Sequence, residues 1–216
     1  LCIIENAVWI GDKLKRVKIN YKGKSIRRNA NKVDLEKNET AKKLLKKYKN
    51  EVSYSTDQIM RYVKRNQKEY INELFSDRNI LIAGWFLKKF ENLTDKEISE
   101  SLKFIFTSAL PNFSKMIPGD LEKVIGKSGW QISKFWAPEI HAEKNVIISL
   151  EQRLKKYVKG KEEIDKLKTK TNFKLHNKSS HNLSMISENS VDYIFTDPPY
   201  GDSIAYLALS SFWNSW

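Results

Sequence analysis

Near the start of the chain Val17, Ile19 and Tyr21 alternate with Lys18 and Asn20, a pattern that predicts a strand with one apolar side. Gly11-Asp12 can turn a preceding Val8-Trp9-Ile10 strand back onto it, giving a small β-ribbon. From about Glu39 to Lys49, Leu44, Leu45 and Tyr48 recur at helical spacing among lysines. This short amphipathic helix presents a charged face that is either solvated or available to phosphate.

Residues 71 to 116 are expected to be helical, with a break near Asn92-Leu93-Thr94-Asp95. Thr94 is the expected N-cap of the second helix, with Glu97 as its capping partner. Leu81, Trp85, Phe86 and Phe90 line the first helix, and Ile98, Leu102, Ile105, Phe106 and Ala109 the second. Aromatic residues at this spacing form a core more often than a base-stacking surface. Pro111, Pro118, Gly119, Gly126 and Gly129 then mark a loop-rich crossing that leads to an aromatic stretch, Trp130 and Phe135-Trp136. A third helix is expected from Ala142 to Lys168, with Val146, Leu150, Leu154 and Val158 on one face and Ile164 and Leu167 continuing it past Gly160. Phe173-Lys174-Leu175 suggests a short strand, and Val191-Asp192-Tyr193-Ile194-Phe195-Thr196 a buried strand of a mainly parallel sheet.

Charge changes the picture at the start of the chain. The 216 residues carry a formal charge of +13, and the first 50 hold 15 Lys and Arg against 5 Asp and Glu. Such a basic arm favours polyanions, nucleic acid first among them. The single cysteine, Cys2, permits neither a disulfide framework nor a C-x-x-C metal site. His141, His176 and His181 are scattered without companion ligands, so no metal is expected. No run approaches the ~18 apolar residues needed to cross a bilayer, and no signal sequence is evident, so a cytoplasmic protein with no membrane partner is expected. The start at Leu1 and the end at Trp216 within an apolar stretch suggest a piece of a longer polypeptide.

The residues that carry chemistry follow the expected buried strand: Thr196-Asp197-Pro198-Pro199-Tyr200-Gly201. An exocyclic amine conjugated to a ring is a poor nucleophile and presents two N–H donors. The Asp197 carboxylate and the Pro198 carbonyl can each accept one, drawing the nitrogen toward tetrahedral geometry with its lone pair directed at a methyl donor. Pro198 and Pro199 fix the backbone and supply no N–H of their own. Tyr200 can stack an extruded base, because the amine cannot reach a donor from within a duplex. The alternative for these four residues is a turn that merely ends a strand.

Asp197 to Tyr200 match the D-P-P-Y motif, and the chain resembles the amino-methyltransferases that act on adenine N6 or cytosine N4, most closely an adenine-specific subgroup. The preceding Tyr193-Ile194-Phe195 and the following Gly201-Asp202-Ser203, Leu209, Phe212, Trp213 and Asn214 share in that resemblance. So do Glu73-Leu74-Phe75 with Arg78-Asn79, the stretch around Trp130 and Phe135-Trp136 with Pro138, and Glu143-Lys144-Asn145-Val146. Together they cover roughly residues 70 to 216 and leave the arm outside. The resemblance implies S-adenosyl-L-methionine as methyl donor, with Asp197 near it, and double-stranded DNA with base flipping as substrate. Adenine is favoured because related cytosine enzymes more often have Ser where Asp197 stands. A restriction or defence-system partner is a further expectation.

The family's F-x-G-x-G loop is absent, since the eight glycines include no G-x-G pair, so the cofactor-binding residues are unknown and the chain by itself is expected to be inactive. Ser179 and Ser180 fall near the region that would face the cofactor's adenosine, or are ordinary loop residues. Trp130 and Trp136 are either loop anchors or target-recognition contacts. The expected architecture is α/β, a helical basic insertion leading into part of a Rossmann-like methyltransferase sheet. Its expected divisions are a basic arm at 1–70, a helical insertion at 71–168 that is a candidate DNA-contacting region, and a partial catalytic domain at 169–216. The expected activity is methyl transfer to adenine N6. The alternatives are an RNA guanine-N2 methyltransferase and a DNA-binding module with a truncated catalytic strand.

Overall fold

The computed structural model describes residues 2–61, 63–64, 68–126, 134–167, 174–198, 201 and 204–216. Pro199, Tyr200, Asp202, Ser203, Gly129, Trp130 and Phe173 therefore lie outside the described residues, as does the side chain of Leu167.

The expected ribbon forms. Strands β1 (Cys2–Ile10) and β2 (Lys13–Tyr21) pair antiparallel about Gly11, whose φ of +54° suits a residue without a Cβ. Two register shifts, between Ile4 and Asn6 and between Val8 and Trp9, re-phase the alternation, and Ala7, Trp9, Leu14, Val17 and Ile19 close into one apolar cluster. Tyr21, expected on the same side, is 44% exposed. The ribbon is the larger part of a six-stranded sheet ordered β3-β2-β1-β6-β4-β5, with β3 (Lys24–Asn29), β4 (Ile117–Asp120), β5 (Ile125–Gly126) and β6 (Ile140–Lys144). Every strand pair in it is antiparallel, so the chain is mixed α/β, but this sheet is not the parallel one expected. It also joins residues on both sides of position 70, because β1 pairs with β6.

Several expected loop signals are strand positions. Pro118 and Gly119 lie in β4, and a Cβ on Gly119 would come within 2.9 Å of the His141 carbonyl carbon, so glycine permits the close approach of β4 to β6. The expected third helix begins later than Ala142, since Ile140 to Lys144 form β6. Helix α4 (Val146–Leu167) follows, started by Asn145, whose side chain accepts from the Ile148 N–H and donates to the Ile4 carbonyl.

Helix α1 (Lys32–Lys47) begins earlier than its apolar pattern suggests. Asn31 and Asp34 form a reciprocal capping box at 3.1 and 2.9 Å. Helices α2 (Asp77–Glu91) and α3 (Lys96–Phe113) break where expected, but Asp95 rather than Thr94 is the cap, its Oδ1 accepting from the Ile98 N–H at 3.0 Å. Residues 71–74 form a 3-10 turn, and α2 turns its Ile80-Ala83-Gly84-Leu87 side to the core. Leu81, Trp85 and Phe86 instead flank an apolar groove of about 470 Å³ shared with Tyr48, Val52 and Ile147. On α3, Ile105, Phe106 and Ala109 are buried, whereas Ile98 is exposed. On α4 the apolar face is buried at Val146 and Leu150 but emerges at Leu154, Val158 and Ile164, where the helix runs past its supports.

The main core joins α2, α3 and the start of α4 to α5 (Tyr206–Asn214). Phe212 lies at 0% exposure, 5.6 Å from the Phe75 ring and 5.8 Å from that of Phe135. Trp213 donates from Nε1 to the Thr107 carbonyl at 3.2 Å.

Candidate functional site

The stretch before the Asp-Pro-Pro-Tyr motif differs most from its sequence expectation. Residues 174–198 contain neither strand nor helix among the described positions, and all but Met185 are exposed. Tyr193, Ile194 and Phe195 are 80%, 75% and 82% exposed, so the expected buried strand is an exposed, unladdered run. Its composition suits a strand, but a strand needs a neighbour to pair its backbone and packing on its faces to bury its side chains. The antiparallel sheet ends at β3 and β5 and includes no residue of this run. Asp197 and Pro198 are also exposed, Gly201 takes a φ of +55°, and five residues later α5 enters the main core. Asp197 and Pro198 thus lie between an exposed apolar run and a firmly packed helix. Of the four expected site residues the structure describes Asp197 and Pro198, adjacent and accessible, while Pro199 and Tyr200 lie outside the described residues.

Two other motifs of the resemblance, 64 residues apart in sequence from Asn79 to Glu143, meet in space. Arg78 Nη2 donates to Glu143 Oε1 at 3.3 Å, and Asn79 Nδ2 donates to the carbonyls of Phe113 at 2.8 Å and Lys144 at 3.3 Å. Glu143 is fully buried and Asn79 nearly so. Burial of an ion is costly unless it is paired and hydrogen-bonded, and the Arg78 guanidinium supplies that partner. These residues tie the start of α2, the end of α3 and β6 together, which is an architectural role. Glu73 likewise accepts the N–H groups of Glu69 and Tyr70, at 2.5 and 2.8 Å, closing the 3-10 turn. The family-like Leu74, Phe75, Leu209 and Phe212 are core residues.

Sequence reasoning missed a polar cavity of about 350 Å³ where the β1–β2 turn, α1 and the start of α2 meet, lined in part by Trp9, Asp12, Asn38, Asp77 and Lys115. Burial lowers the Lys115 pKa against the opposing attraction of Glu143 and Asp12. Beside it, His141 stacks on Trp9 with ring centroids 6.3 Å apart, and its Nδ1 lies 3.0 Å from the Pro138 carbonyl. A carbonyl only accepts, so Nδ1 carries the proton. Burial holds the imidazole pKa down, although the Pro138 contact and the Glu143 charge favour the protonated form. Nothing in the sequence signals this cavity, because its walls come from four separated segments.

The three arginines of the first 50 residues are engaged: Arg16 with the Leu121 carbonyl at 2.7 Å, Arg27 with the Lys123 carbonyl at 2.9 Å, and Arg28 with both oxygens of Asp34 at 2.5 and 3.1 Å. Lys42, Lys43, Lys46, Lys47 and Lys49, by contrast, are exposed along the end of α1 and just beyond it. The arginines therefore hold the ribbon in place, and the lysines form a compact patch of positive charge.

Among the described residues no group of three His, Cys, Asp or Glu side chains is placed to hold a metal ion, and no helix is long and apolar enough to cross a membrane. His176 and His181 are exposed on the irregular stretch, as are Ser179 and Ser180. Phe135 is fully buried and Trp136 partly so, which makes this pair a loop anchor. No protein-family model, curated protein or solved structure matches the chain.

Proposed function

We propose that this chain is part of a cytoplasmic DNA methyltransferase that modifies the exocyclic amine of adenine at N6. The observation that carries the reading is the sequence Thr196 to Gly201, with Asp197 and Pro198 accessible at the end of an apolar run and just ahead of an anchored helix. In this reading Val191 to Thr196 become a central strand of a Rossmann-like sheet once paired by strands that the described residues do not provide. Such pairing would cover Tyr193, Ile194 and Phe195, whose exposure is costly in water: at about 25 cal/mol per Å², each large apolar side chain buried contributes on the order of 2 kcal/mol.

Asp197 and Pro198 act on the amine itself. The carboxylate accepts one N–H and the Pro198 carbonyl the other, which holds the nitrogen, weakens its conjugation with the ring and aims its lone pair away from the acceptors. Tyr200 stacks the extruded base. The donor that this chemistry calls for is S-adenosyl-L-methionine, which supplies an electrophilic methyl group. The described residues do not fit it, because there is no G-x-G cradle in the sequence and the described residues leading to Asp197 are exposed. The donor's pocket must come from other residues. The exposed lysines of α1 support a DNA partner, since lysine binds phosphate as a point charge without reading sequence.

The test is methylation of duplex DNA by the protein that carries this chain in its natural context, compared with its Asp197→Ala form. Loss of methyl transfer by at least about a hundredfold with duplex binding retained is expected, as for removal of a group that orients and stabilises the reacting nitrogen. Undiminished methylation would overturn the assigned role of Asp197.

A further inference from the structure

On α4 the positions Ile147, Glu151, Leu154, Val158, Lys161 and Asp165 follow one another in alternating steps of four and three, the spacing of a coiled-coil seam. This seam faces solvent: Ile147, Leu154 and Val158 are 46%, 42% and 45% exposed. It is distinct from the side of α4 that meets α3, where Leu150 is buried and the Tyr157 hydroxyl lies 3.0 Å from Ser101 Oγ. The seam is also self-complementary about residue 156. When a second copy of α4 is laid antiparallel on that centre, Leu154 falls opposite Val158, Glu151 opposite Lys161 and Ile147 opposite Asp165, each pair occurring twice. A parallel copy would set Glu151 against Glu151 and Lys161 against Lys161, which like-charge repulsion disfavours.

From this pattern we infer that two copies of the chain associate through an antiparallel pairing of their α4 helices, with Leu154 and Val158 at the two-fold centre and Glu151–Lys161 pairs on either side. The interface is isologous, as closed dimers require. A single helix pair covers less surface than a permanent dimer, so association is weak and concentration-dependent. This inference does not depend on the methyltransferase reading.

Sedimentation equilibrium of the chain from about 1 to 200 µM tests it, a range suited to weak, reversible contacts. A monomer–dimer equilibrium is expected in the parent chain. Lys161→Glu and Glu151→Lys, each at an exposed site where folding is checked by circular dichroism, should each raise the dimer Kd by about tenfold or more, since each creates two like-charge pairs. The double variant Glu151→Lys/Lys161→Glu should restore the parent Kd, because every pair re-forms with its signs exchanged. A chain that stays monomeric throughout the range would overturn the inference. So would a dimer indifferent to either single substitution, or one that the double substitution does not recover.

Discussion

Asn79 shows how much of this molecule's specificity rests on single buried groups. Its buried side-chain amide donates to two carbonyls, of Phe113 on α3 and Lys144 on β6. Asn79→Ala should therefore lower unfolding stability by about 2–3 kcal/mol, measurable as a shifted urea midpoint. Asp34 behaves similarly near the surface: burial pushes its carboxyl up, but the Arg28 bond, the Asn31 N–H and the neighbouring positive charges outweigh this and hold it below its ordinary value. His141 adds a pH dependence nearer neutrality. Burial depresses its pKa from an ordinary value of 6.5, so as pH falls through that value the unfolded imidazole takes up a proton before the folded one does. The stability contributed by the neutral ring is complete above that value and is lost as pH falls toward the lower folded pKa. The urea midpoint should drop as pH falls below about 6.5, and His141→Phe should make the drop shallower; an unchanged slope would remove His141 as its source. The sequence marks Asn79 and Glu143 only through the resemblance and gives no sign that they meet, because 64 residues separate them.

Among the elements, legibility followed how much of the pattern is local. Helices α2 and α3, with their break, were evident from spacing because each carries enough apolar residues to state a period. Strand β6 was not, since Ala142-Glu143-Lys144 favour a helix by composition and become a strand only between β1 and β4. The run Val191 to Thr196 errs in the opposite direction: it carries a strand's residues without the neighbours that would make it one. Helix α1 shows a third case, in which the cap at Asn31 extends the element a full turn and more beyond its apolar pattern. Its lysines carry a prediction at this scale. Replacing Lys42, Lys43, Lys46, Lys47 and Lys49 with Gln should weaken duplex binding without regard to sequence, and should flatten the dependence of log K on log salt by about 0.9 for every lysine that contacts a phosphate. A binding curve with the parent's slope would place the DNA contact elsewhere.

The molecule as a whole joins a basic antiparallel sheet to a helical core, and Asp197 and Pro198, the described residues expected to carry chemistry, belong to neither. Sequence reasoning divided the chain at residue 70, yet the sheet draws β1 to β3 from one side of that point and β4 to β6 from the other. That closure depends on long-range pairing, which no local period records. Of the candidate site, the chemistry of Asp197 and Pro198 was legible because it resides in residue types and order; the setting was not, because it depends on strands that must pair with Val191 to Thr196. The central claim is that these two acceptors hold an adenine amine. The most direct measurement is nucleoside analysis of duplex DNA incubated with S-adenosyl-L-methionine and the protein that carries this chain in its natural context. N6-methyldeoxyadenosine, lost with Asp197→Ala, is the predicted product; DNA without any methylated nucleoside, or methyl transfer confined to guanine in RNA, would contradict the account.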